Sequence, residues 1–298
     1  MSLAVIDIGG TSIKFAGYTT ATGLFAQTRV ATPKTLAAFY HCLQQQVAAL
    51  RQITELTGVA ISSPGVVDQA AGVIRGASAV PYIHHFPIVT ELSNRLHLPL
   101  TIENDANCAA LAEAQLGAAA DVRDAILLVL GTGVGGAVII NGQLHRGRHL
   151  MGGEFGYMLH GDEDTVSHLG TLVNTVARYN RQHGTQLDGK RLYELAQSGD
   201  SAASTAMQKM FHVLAVTIFN LQYSFDPDCF VISGGISQNP ALLGDLEAAL
   251  DEMMANTELT PIRPVIRIAK FRAEANLYGA AVHFYQQHQA GLIPLERT

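Results

Sequence analysis

The chain is 298 residues long, carries a formal net charge of −6, and is 48% hydrophobic with a mean hydropathy of +0.19. This length and composition indicate a compact globular protein of one large or two medium domains and argue against a low-complexity chain. The acidic charge and the absence of a Lys/Arg cluster argue against nucleic acid and anionic membranes as main partners.

The three cysteines, Cys42, Cys108 and Cys229, are scattered without metal-binding spacing, which is typical of free thiols in a reducing compartment. The sequence enters a strand near residue 3 without a basic leader, and no apolar run reaches about 18 residues. We therefore expect a cytoplasmic protein with no signal peptide and no transmembrane helix.

The first part of the chain reads as a strand, a glycine turn, two further strands, and then alternating helices and strands. Pro33 is expected to open the first helix, and residues 66–87 show no clear period. Strands are predicted at 3–8, 12–18, 24–31, 58–62 and 98–102, and helices at 33–51, 88–96 and 106–116.

The second part repeats this element order, although not the sequence itself. The repeat predicts two α/β domains of one architecture with a cleft between them, and the chain is expected to cross near residues 117–121. The last helix is expected to pack on the first domain. Strands are predicted at 125–130, 137–140, 229–232 and 265–269, and helices at 168–184, 190–197, 201–223, 241–255 and 276–288.

Residues 131–136, Gly-Thr-Gly-Val-Gly-Gly, satisfy the G-x-G-x-x-G pattern after a strand. A dinucleotide site requires a helix after this pattern, whereas a strand is predicted here, and the chain has no Walker P-loop. What remains is a glycine-rich hairpin whose backbone N–H groups can face an anion, with an ordinary tight turn as the alternative.

Two more glycine turns, residues 7–11 (Asp-Ile-Gly-Gly-Thr) and 233–235 (Ser-Gly-Gly), occupy matching places in the element order. The second is predicted to precede a helix, whose N-terminus favours anions. Together the turns indicate phosphate binding. Because Asp7 would repel a phosphate, its position predicts a cation between them, for which Mg²⁺ is the natural candidate. Lys14 is predicted to be a charge on the strand face.

Residues 103–107 read Glu-Asn-Asp-Ala-Asn at the end of a predicted strand. A helix needs one capping side chain, and Asn or Asp suffices. Four polar side chains in five positions therefore indicate a ligand site, while simple capping by Asn104 or Asp105 remains the alternative.

These motifs, in this order, resemble the ROK family of sugar kinases, which belongs to the actin/hexokinase/Hsp70 superfamily. The resemblance runs from about residue 3 to residue 283. It implies two ribonuclease-H-like domains with an interdomain cleft: an N-terminal domain of residues 1–117 plus about 284–298, and a C-terminal domain of residues 118–283. The motifs are 7–11, 63–68 (Ser-Pro-Gly-Val-Val-Asp), 103–107, 131–136, 153–156 (Gly-Glu-Phe-Gly) and 233–235.

The resemblance also implies a role for each matching residue. Asp105 would be the catalytic base that aligns the acceptor hydroxyl, and Gly65, Asn104 and Glu154 would bind the sugar. Glu103 and Asn107 are expected to be supporting groups or caps. ATP, Mg²⁺ held by Asp7 directly or through water, and a homodimer are expected. Nucleotide binding is implied for Asp7, Gly9, Gly10, Thr11, Thr132, Gly133, Gly234 and Gly235.

The chain departs from the family pattern where many members bind zinc. Tyr157 replaces a histidine, Val173 stands where a glutamate is expected, and no cysteine lies between Cys108 and Cys229. A structural zinc site needs about four N or S ligands, so no zinc is expected. Tyr157 is expected to line a less polar sugar pocket that admits an aglycone or a second ring, which resembles the β-glucoside kinase branch.

The sequence therefore predicts an ATP-dependent sugar 6-kinase acting on the non-reducing glucose of a β-glucoside or disaccharide such as cellobiose. A zinc-free glucokinase and an N-acylhexosamine kinase remain alternatives. The family also contains sugar-sensing repressors, but a non-catalytic sensor would typically lose the base or a phosphate turn, and this chain retains both. Whether residues 66–87 line the sugar mouth or only pack is left open.

Overall fold

The computed structural model describes residues 1–161, 164–255 and 262–289. The chain divides into two compact units. The first comprises Met1–Gln115, Gly147–Met151 and the chain from Ala273 onward, and the second comprises Leu116–Arg146 and Gly152–Arg272. The predicted domain boundaries, 1–117 plus about 284–298 and 118–283, remain a prediction, and residues 290–298 lie outside the described residues.

The first unit consists of a sheet with helices against it and a small two-stranded ribbon. A 3-10 helix, Pro81–Ile83, also interrupts the segment that showed no period. In chain order the elements are β1 (Ser2–Ile8), β2 (Ser12–Thr19), β3 (Gly23–Ala31), α1 (Leu36–Arg51), β4 (Gly58–Ser63), β5 (Val66–Asp68), β6 (Val73–Arg75), α2 (Ile88–Leu96), β7 (Leu100–Asn104) and α3 (Asp105–Leu116).

The main sheet of this unit has the order β3-β2-β1-β4-β7. Strands β1, β4 and β7 run parallel, so their carboxyl ends share one edge. Asp7 pairs in register with Ser62, which in turn pairs with Glu103. Three segments far apart in sequence therefore place polar side chains side by side at that edge.

The second unit is built in the same way. Its sheet has the order β10-β9-β8-β13-β14, in which β8, β13 and β14 are parallel. Its elements are β8 (Ala125–Leu130), β9 (Val134–Ile140), β10 (Gln143–Leu144), β11 (Leu159–His160), β12 (Asp164–Thr165), α4 (Val166–Leu169), α5 (Leu172–His183), α6 (Gly189–Gln197), α7 (Ser201–Phe225), β13 (Cys229–Ser233), α8 (Leu242–Ala255) and β14 (Ile266–Ile268).

Both main sheets thus follow one strand order: when only the strands of each main sheet are numbered along the chain, the order is third, second, first, fourth, fifth. The first three strands pair as antiparallel neighbours. The fourth strand pairs in parallel with the first, and the fifth pairs in parallel with the fourth. The predicted α/β class and the predicted repetition of one architecture are confirmed.

The last helix, α9 (Ala275–Gln289), belongs to the first unit and packs on β1, β4 and β7. Phe284 is fully buried there and occupies the space that a side chain on Gly58 would need. None of the described helices combines the length and the apolar character required to cross a membrane.

Several element boundaries differ from the sequence prediction because local capping decides them. Pro33 does not open α1, since Thr35 is the N-cap and its hydroxyl accepts a hydrogen bond from the Ala38 N–H at 3.3 Å. The single helix predicted at 168–184 is two helices, because Gly170 ends α4 and Thr171 caps α5.

Two predictions about the glycine turns also need correction. Strand β9 begins at Val134 rather than at residue 137, because Gly135 and Gly136 pair with β8 and only Gly131–Gly133 form the turn. No long helix follows Ser233 directly. A 3-10 helix, Gly235–Gln238, comes first, and α8 begins only at Leu242.

Candidate active site

The turn between β7 and α3 carries the predicted base. Asp105 is the first residue of α3, half-buried, and its Oδ1 accepts a hydrogen bond from the Ala106 N–H at 2.9 Å. A carboxylate in the first turn of a helix is stabilised in its charged form by the helix dipole. The local structure therefore presents the carboxyl group of Asp105 at the carboxyl edge of the sheet.

Asn104 ties this turn to the loop after β4. Its Oδ1 accepts from the Asn107 N–H at 3.1 Å, so Asn104 does cap α3, as the simpler alternative supposed. Its Nδ2 donates to the Gly65 carbonyl at 3.0 Å. Because an amide has two hydrogens and two acceptor lone pairs, these contacts leave chemical capacity for a hydroxyl ligand. The structure thus brings two predicted sugar ligands, Asn104 and Gly65, into direct contact.

Gly65 has a backbone φ of +97°, a region in which L side chains are strained. A Cβ at this position would lie 2.9 Å from Cε1 of His84 and 2.9 Å from Cγ2 of Ile74. The loop therefore requires glycine both for its conformation and for the close approach of the His84 ring.

We expect Gly65→Ala to lower the free energy of unfolding by about 2 kcal/mol, from left-handed strain and displaced neighbours, and to lower sugar kcat/KM. Gly142→Ala is the matched control, since Gly142 has φ +73° and nothing within 4 Å of its Cβ position. Urea unfolding and steady-state kinetics measure both effects. Equal losses in the two variants would show that packing against His84 contributes nothing.

Glu103 lies beneath the same turn and is only 1% exposed. Its Oε1 accepts from the Asn104 N–H at 2.8 Å and from Nδ2 of Asn107 at 3.0 Å. Glu103 and Asn107 therefore hold the turn from inside the protein, which agrees with the supporting role expected for them.

Asp7, at the end of β1, is buried among three donors. Lys14 Nζ donates to Oδ2 at 3.0 Å, while Ser62 Oγ and Asn276 Nδ2 donate to Oδ1 at 3.1 and 3.0 Å. Lys14 is more than a charge on the strand face, because it is the cross-strand partner of Asp7 and forms an ion pair with it. Ser62 and Asn276 had no sequence signal, since each is separated from Asp7 by more than fifty residues.

These contacts bear on how Asp7 would hold Mg²⁺. Oδ1 accepts two protein hydrogen bonds and Oδ2 accepts one, so three of about four lone-pair sites of the carboxylate are used by these contacts. Mg²⁺ keeps several waters and takes few carboxylates, so a contact through water fits Asp7 better. Within residues 1–161, 164–255 and 262–289, no group of three or more His, Cys, Asp or Glu side chains could hold a metal.

The turn after Asp7 is held from one side and open on the other. The Gly9 N–H donates to the Ser12 carbonyl at 3.1 Å, and the Thr32 N–H donates to the Thr11 carbonyl at 3.0 Å. Gly10 and Thr11 are exposed. Such a turn can present backbone groups to an anion.

In the second unit, Thr132 and Gly133 form the tip of the hairpin between β8 and β9. Ser167 Oγ accepts from the Val134 N–H at 2.9 Å, and Asn174 Nδ2 donates to the Thr132 carbonyl at 3.3 Å. Ser167 and Asn174 could not be predicted from sequence, because neither belongs to a recognisable motif. They fix the conformation of a hairpin tip whose Thr132 is exposed.

Gly234 and Gly235 follow β13, which is the parallel neighbour of β8, so both glycine turns of this unit lie at the same edge of its sheet. Gly234 has φ +98°, and its carbonyl accepts from Ser237 Oγ at 2.7 Å. The structure therefore gathers the four predicted nucleotide residues of the second unit at one sheet edge.

Glu154 and Tyr157 flank a 3-10 helix, Phe155–Tyr157, in which Phe155 is buried. Burial raises the pKa of the Glu154 carboxyl above its ordinary value. Tyr157 is 72% exposed, and two other apolar side chains in this part of the sequence, Leu159 and Val173, are 73% and 52% exposed.

Two residues of the segment 66–87 have defined packing roles, while lining of the sugar mouth by this segment stays a prediction. The Tyr82 ring packs on Phe39 and its hydroxyl donates to the Pro33 carbonyl, so this residue serves packing. His84, by contrast, is 7% exposed, and Ser78 Oγ lies 2.7 Å from its Nε2 where the ring contacts Gly65. His84 therefore belongs to the wall behind a predicted sugar ligand.

Comparison with known proteins gives sequence relatives along nearly the whole chain. A β-glucoside kinase of Listeria monocytogenes is 30% identical over 297 residues, which covers 96% of this chain and 98% of the relative. An N-acetyl-D-glucosamine kinase of Shigella boydii is 32% identical over 287 residues and covers 89% of this chain and 93% of the relative.

Solved structures that resemble this chain come from proteins of the same kind as the sequence relatives. A ROK family protein of Streptococcus pneumoniae in complex with sucrose superposes with a TM-score of 0.90 at 40% identity, covering 97% of this chain and 100% of that one. A ROK family glucokinase of Streptomyces griseus in complex with glucose and AMPPNP gives 0.77 at 26% identity, covering 94% and 98%. The sequence matches the ROK family over residues 3–287. The predicted resemblance is confirmed: this chain belongs to the ROK family.

Proposed function

We propose that this protein is an ATP-dependent carbohydrate kinase that phosphorylates the 6-hydroxyl of the non-reducing glucose in a β-glucoside or disaccharide such as cellobiose. The carbohydrate kinase class is supported by relatives that are named as sugar kinases. The observation that carries the proposal is the position of Asp105 at the start of α3, beside the Asn104–Gly65 contact.

Phosphoryl transfer requires a hydroxyl aligned with the γ-phosphate and a carboxylate to accept its proton. Asp105 supplies the carboxylate, and the first turn of α3 favours its ionised form. Asn104 and the backbone of Gly65 orient the sugar, and Glu154 accepts hydrogen bonds from its ring hydroxyls. Because the turn is anchored from inside by Glu103, the base is held in place before substrate arrives.

The nucleotide side is supported by the three glycine turns at the sheet edges. Gly9, Gly10, Thr11, Thr132 and Gly133 would contact the phosphates, and Gly234 and Gly235 would lie near the adenosine. Mg²⁺, held by Asp7 through water, would neutralise charge on the transferring phosphoryl group. The Streptomyces griseus relative was solved with AMPPNP, an ATP analogue.

The substrate class rests on Tyr157, Val173 and the absence of the cysteine run. Side chains that would grip the anomeric end of a free sugar are replaced by exposed apolar ones. A flat aromatic ring is a suitable platform for a second sugar ring or an aglycone. Relatives named as β-glucoside kinases and a relative that binds sucrose support a substrate larger than a monosaccharide.

The test is ADP release with ATP, Mg²⁺ and a panel of glucose, mannose, fructose, N-acetylglucosamine, cellobiose and gentiobiose. We expect kcat/KM for cellobiose or gentiobiose to exceed that for glucose, and the product to carry phosphate on the 6-hydroxyl of the non-reducing ring. Glucose as the preferred substrate would replace this proposal by a zinc-free glucokinase. No turnover with any sugar would indicate a non-catalytic sugar sensor.

An N-acylhexosamine kinase is the second candidate, because the Shigella boydii relative is named as an N-acetyl-D-glucosamine kinase at 32% identity. In the same panel, a higher kcat/KM for N-acetylglucosamine than for the other sugars would identify this second candidate.

Metal analysis of the purified protein tests the further expectation that no zinc is bound, and light scattering tests the expected homodimer. The proposal places the enzyme in the cytoplasm, where ATP and phosphorylated sugars occur.

We expect Tyr157→Ala to raise KM for cellobiose about 5-fold, since loss of an aromatic contact of about 1 kcal/mol has this effect. KM for glucose should change less than about 2-fold, because only the second ring uses the platform. Leu159→Ala is the control, with a side chain of similar exposure two positions away. Equal changes for glucose and cellobiose would remove Tyr157 from the second-ring contact.

A further inference from the structure

A buried polar group behind the Asp105 turn links three distant parts of the first unit. Gln69 Nε2 lies 2.6 Å from Glu103 Oε2 and 2.7 Å from His283 Nε2. Glu103 and His283 are 1% and 2% exposed, and Oε2 of Glu103 lies 3.9 Å from Nε2 of His283. Of these three residues, only Glu103 belongs to one of the sequence motifs.

The chemistry of the group assigns its donors. An amide nitrogen carries two hydrogens, and the two short distances from Gln69 match one hydrogen for Glu103 and one for His283. His283 Nε2 then accepts the second amide hydrogen. Gln69 therefore bridges the carboxylate and the imidazole through its two amide hydrogens.

Helix α9 is placed to deliver His283 to this point. Asn276, Gly279 and His283 follow a spacing of three and four residues, so they lie along one face of the helix. A Cβ on Gly279 would fall 1.7 Å from the Cys108 carbonyl of α3, so the two backbones are in close contact. Asn276, at the other end of the stripe, donates to Asp7.

Gln69 and His283 are connected through Glu103 to the part of the turn that carries Asn104 and Asp105. One carboxylate oxygen of Glu103 faces Gln69, and the other holds the Asn104 N–H and the Asn107 side chain. Asn104 precedes the predicted base directly. When Gln69 holds one oxygen of the Glu103 carboxylate, the other oxygen is held in place to accept from the Asn104 N–H. The backbone that carries the side chains of Asn104 and Asp105 is therefore fixed as well.

We propose that His283 and Gln69 are positioning residues that hold the sugar-binding turn through Glu103. This inference rests on the proposed function for its kinetic consequence, but its structural consequence is independent. Removing His283 leaves one N–H of the half-buried Gln69 without this acceptor, which costs free energy unless the amide turns toward water. Because Gln69 also holds Glu103, the turn loosens, and a misplacement of about 1 Å near the chemistry can cost about 100-fold in rate.

The variants are His283→Leu, Gln69→Leu, the double variant, and His283→Gln, whose amide reaches the former Nε2 position. Phe284→Leu is the matched control, because Phe284 is buried on the same helix next to His283 and takes no part in the polar group. Sugar and ATP kinetics and hydrogen–deuterium exchange of the segment 101–108 are measured for each.

We expect His283→Leu and Gln69→Leu each to lower sugar kcat/KM about 10-fold or more, with KM for ATP changed less than about 2-fold. The double variant should be no less active than Gln69→Leu, since His283 is proposed to act on the turn through Gln69. His283→Gln should recover most of the activity. Exchange in 101–108 should rise in His283→Leu and not in Phe284→Leu.

Unchanged kinetics in His283→Leu, or losses matched by Phe284→Leu, would overturn the positioning role. Additive losses in the double variant would also contradict a shared connection. If the wild-type protein phosphorylates no sugar, the proposed function fails, and the exchange data alone decide the inference. Faster exchange of 101–108 in His283→Leu alone then supports it, and equal exchange in the two variants overturns it.

Discussion

Asp105→Asn should lower the single-turnover rate of phosphoryl transfer by about 100- to 10,000-fold, with a modest change in sugar KM. The amide has the shape of the carboxylate and still accepts a hydrogen bond from the Ala106 N–H, so the turn keeps its geometry. It cannot take the proton of the attacking hydroxyl. The loss should therefore fall on the chemical step and not on binding.

Asp188→Asn is the control for this substitution. Asp188 caps α6, where its Oδ1 accepts from the Arg191 N–H at 2.8 Å, and Asn caps helices equally well. We expect this variant to retain wild-type turnover and thermal stability. Near-normal single-turnover rates in Asp105→Asn would show that the base has been assigned to the wrong residue.

Glu154→Gln should raise sugar KM about 10- to 100-fold, because a hydrogen bond to a charged acceptor contributes about 1.5–3 kcal/mol. Wild-type sugar affinity should also weaken as the pH falls. The pKa of Glu154 is raised by burial, so the carboxylate gains its proton at a higher pH than an ordinary glutamate. Measuring sugar KM in steps of about one pH unit between pH 4 and pH 8 tests this expected loss of affinity.

The same substitution should act on stability in the opposite sense. A folded-state pKa above the unfolded value contributes stability below the ordinary glutamate pKa, and this contribution is lost as the pH rises through the raised value. At neutral pH the charged, desolvated Glu154 therefore destabilises the fold, and Glu154→Gln should have a Tm equal to or above that of the wild type. The advantage should disappear in acid.

Glu194→Gln provides the comparison for Glu154→Gln, because Glu194 is an exposed member of ion pairs with Lys190 and Arg191. Its replacement should leave sugar KM unchanged and should not raise Tm at neutral pH. A Glu154→Gln protein with unchanged sugar KM would exclude Glu154 as a sugar ligand.

Much of the fold could be predicted from sequence because its signals are local. Apolar strands, glycine turns and capping residues predicted most elements in their correct order, and the repeated order predicted two units of one architecture. The errors occurred where neighbouring signals compete. Pro33 favours the first turn of a helix, but the Thr35 hydroxyl accepts from the Ala38 N–H, which has no partner within the helix. Thr35 therefore sets where α1 begins.

The candidate site was predictable as a set of motifs, not as a set of contacts. Gly65 was recognised as part of a motif, and its φ of +97° shows why glycine stands there. The pairing of Lys14 with Asp7 was missed, because an antiparallel register between β1 and β2 decides which side chains face each other. The roles of the motif residues as ligands remain predictions for the kinetic tests.

The sequence by itself determined the ROK family, the order of the elements and the residue types at each turn, because these depend on spacing and backbone preference within short windows. Only the tertiary structure decided what surrounds Asp7 and what lies beneath Asp105. The contact between Gln69 and Glu103 spans 34 residues, and that between Gln69 and His283 spans 214. Such pairs carry no periodicity along the chain, and they form because parallel strands and the returning helix α9 bring their side chains to one buried place.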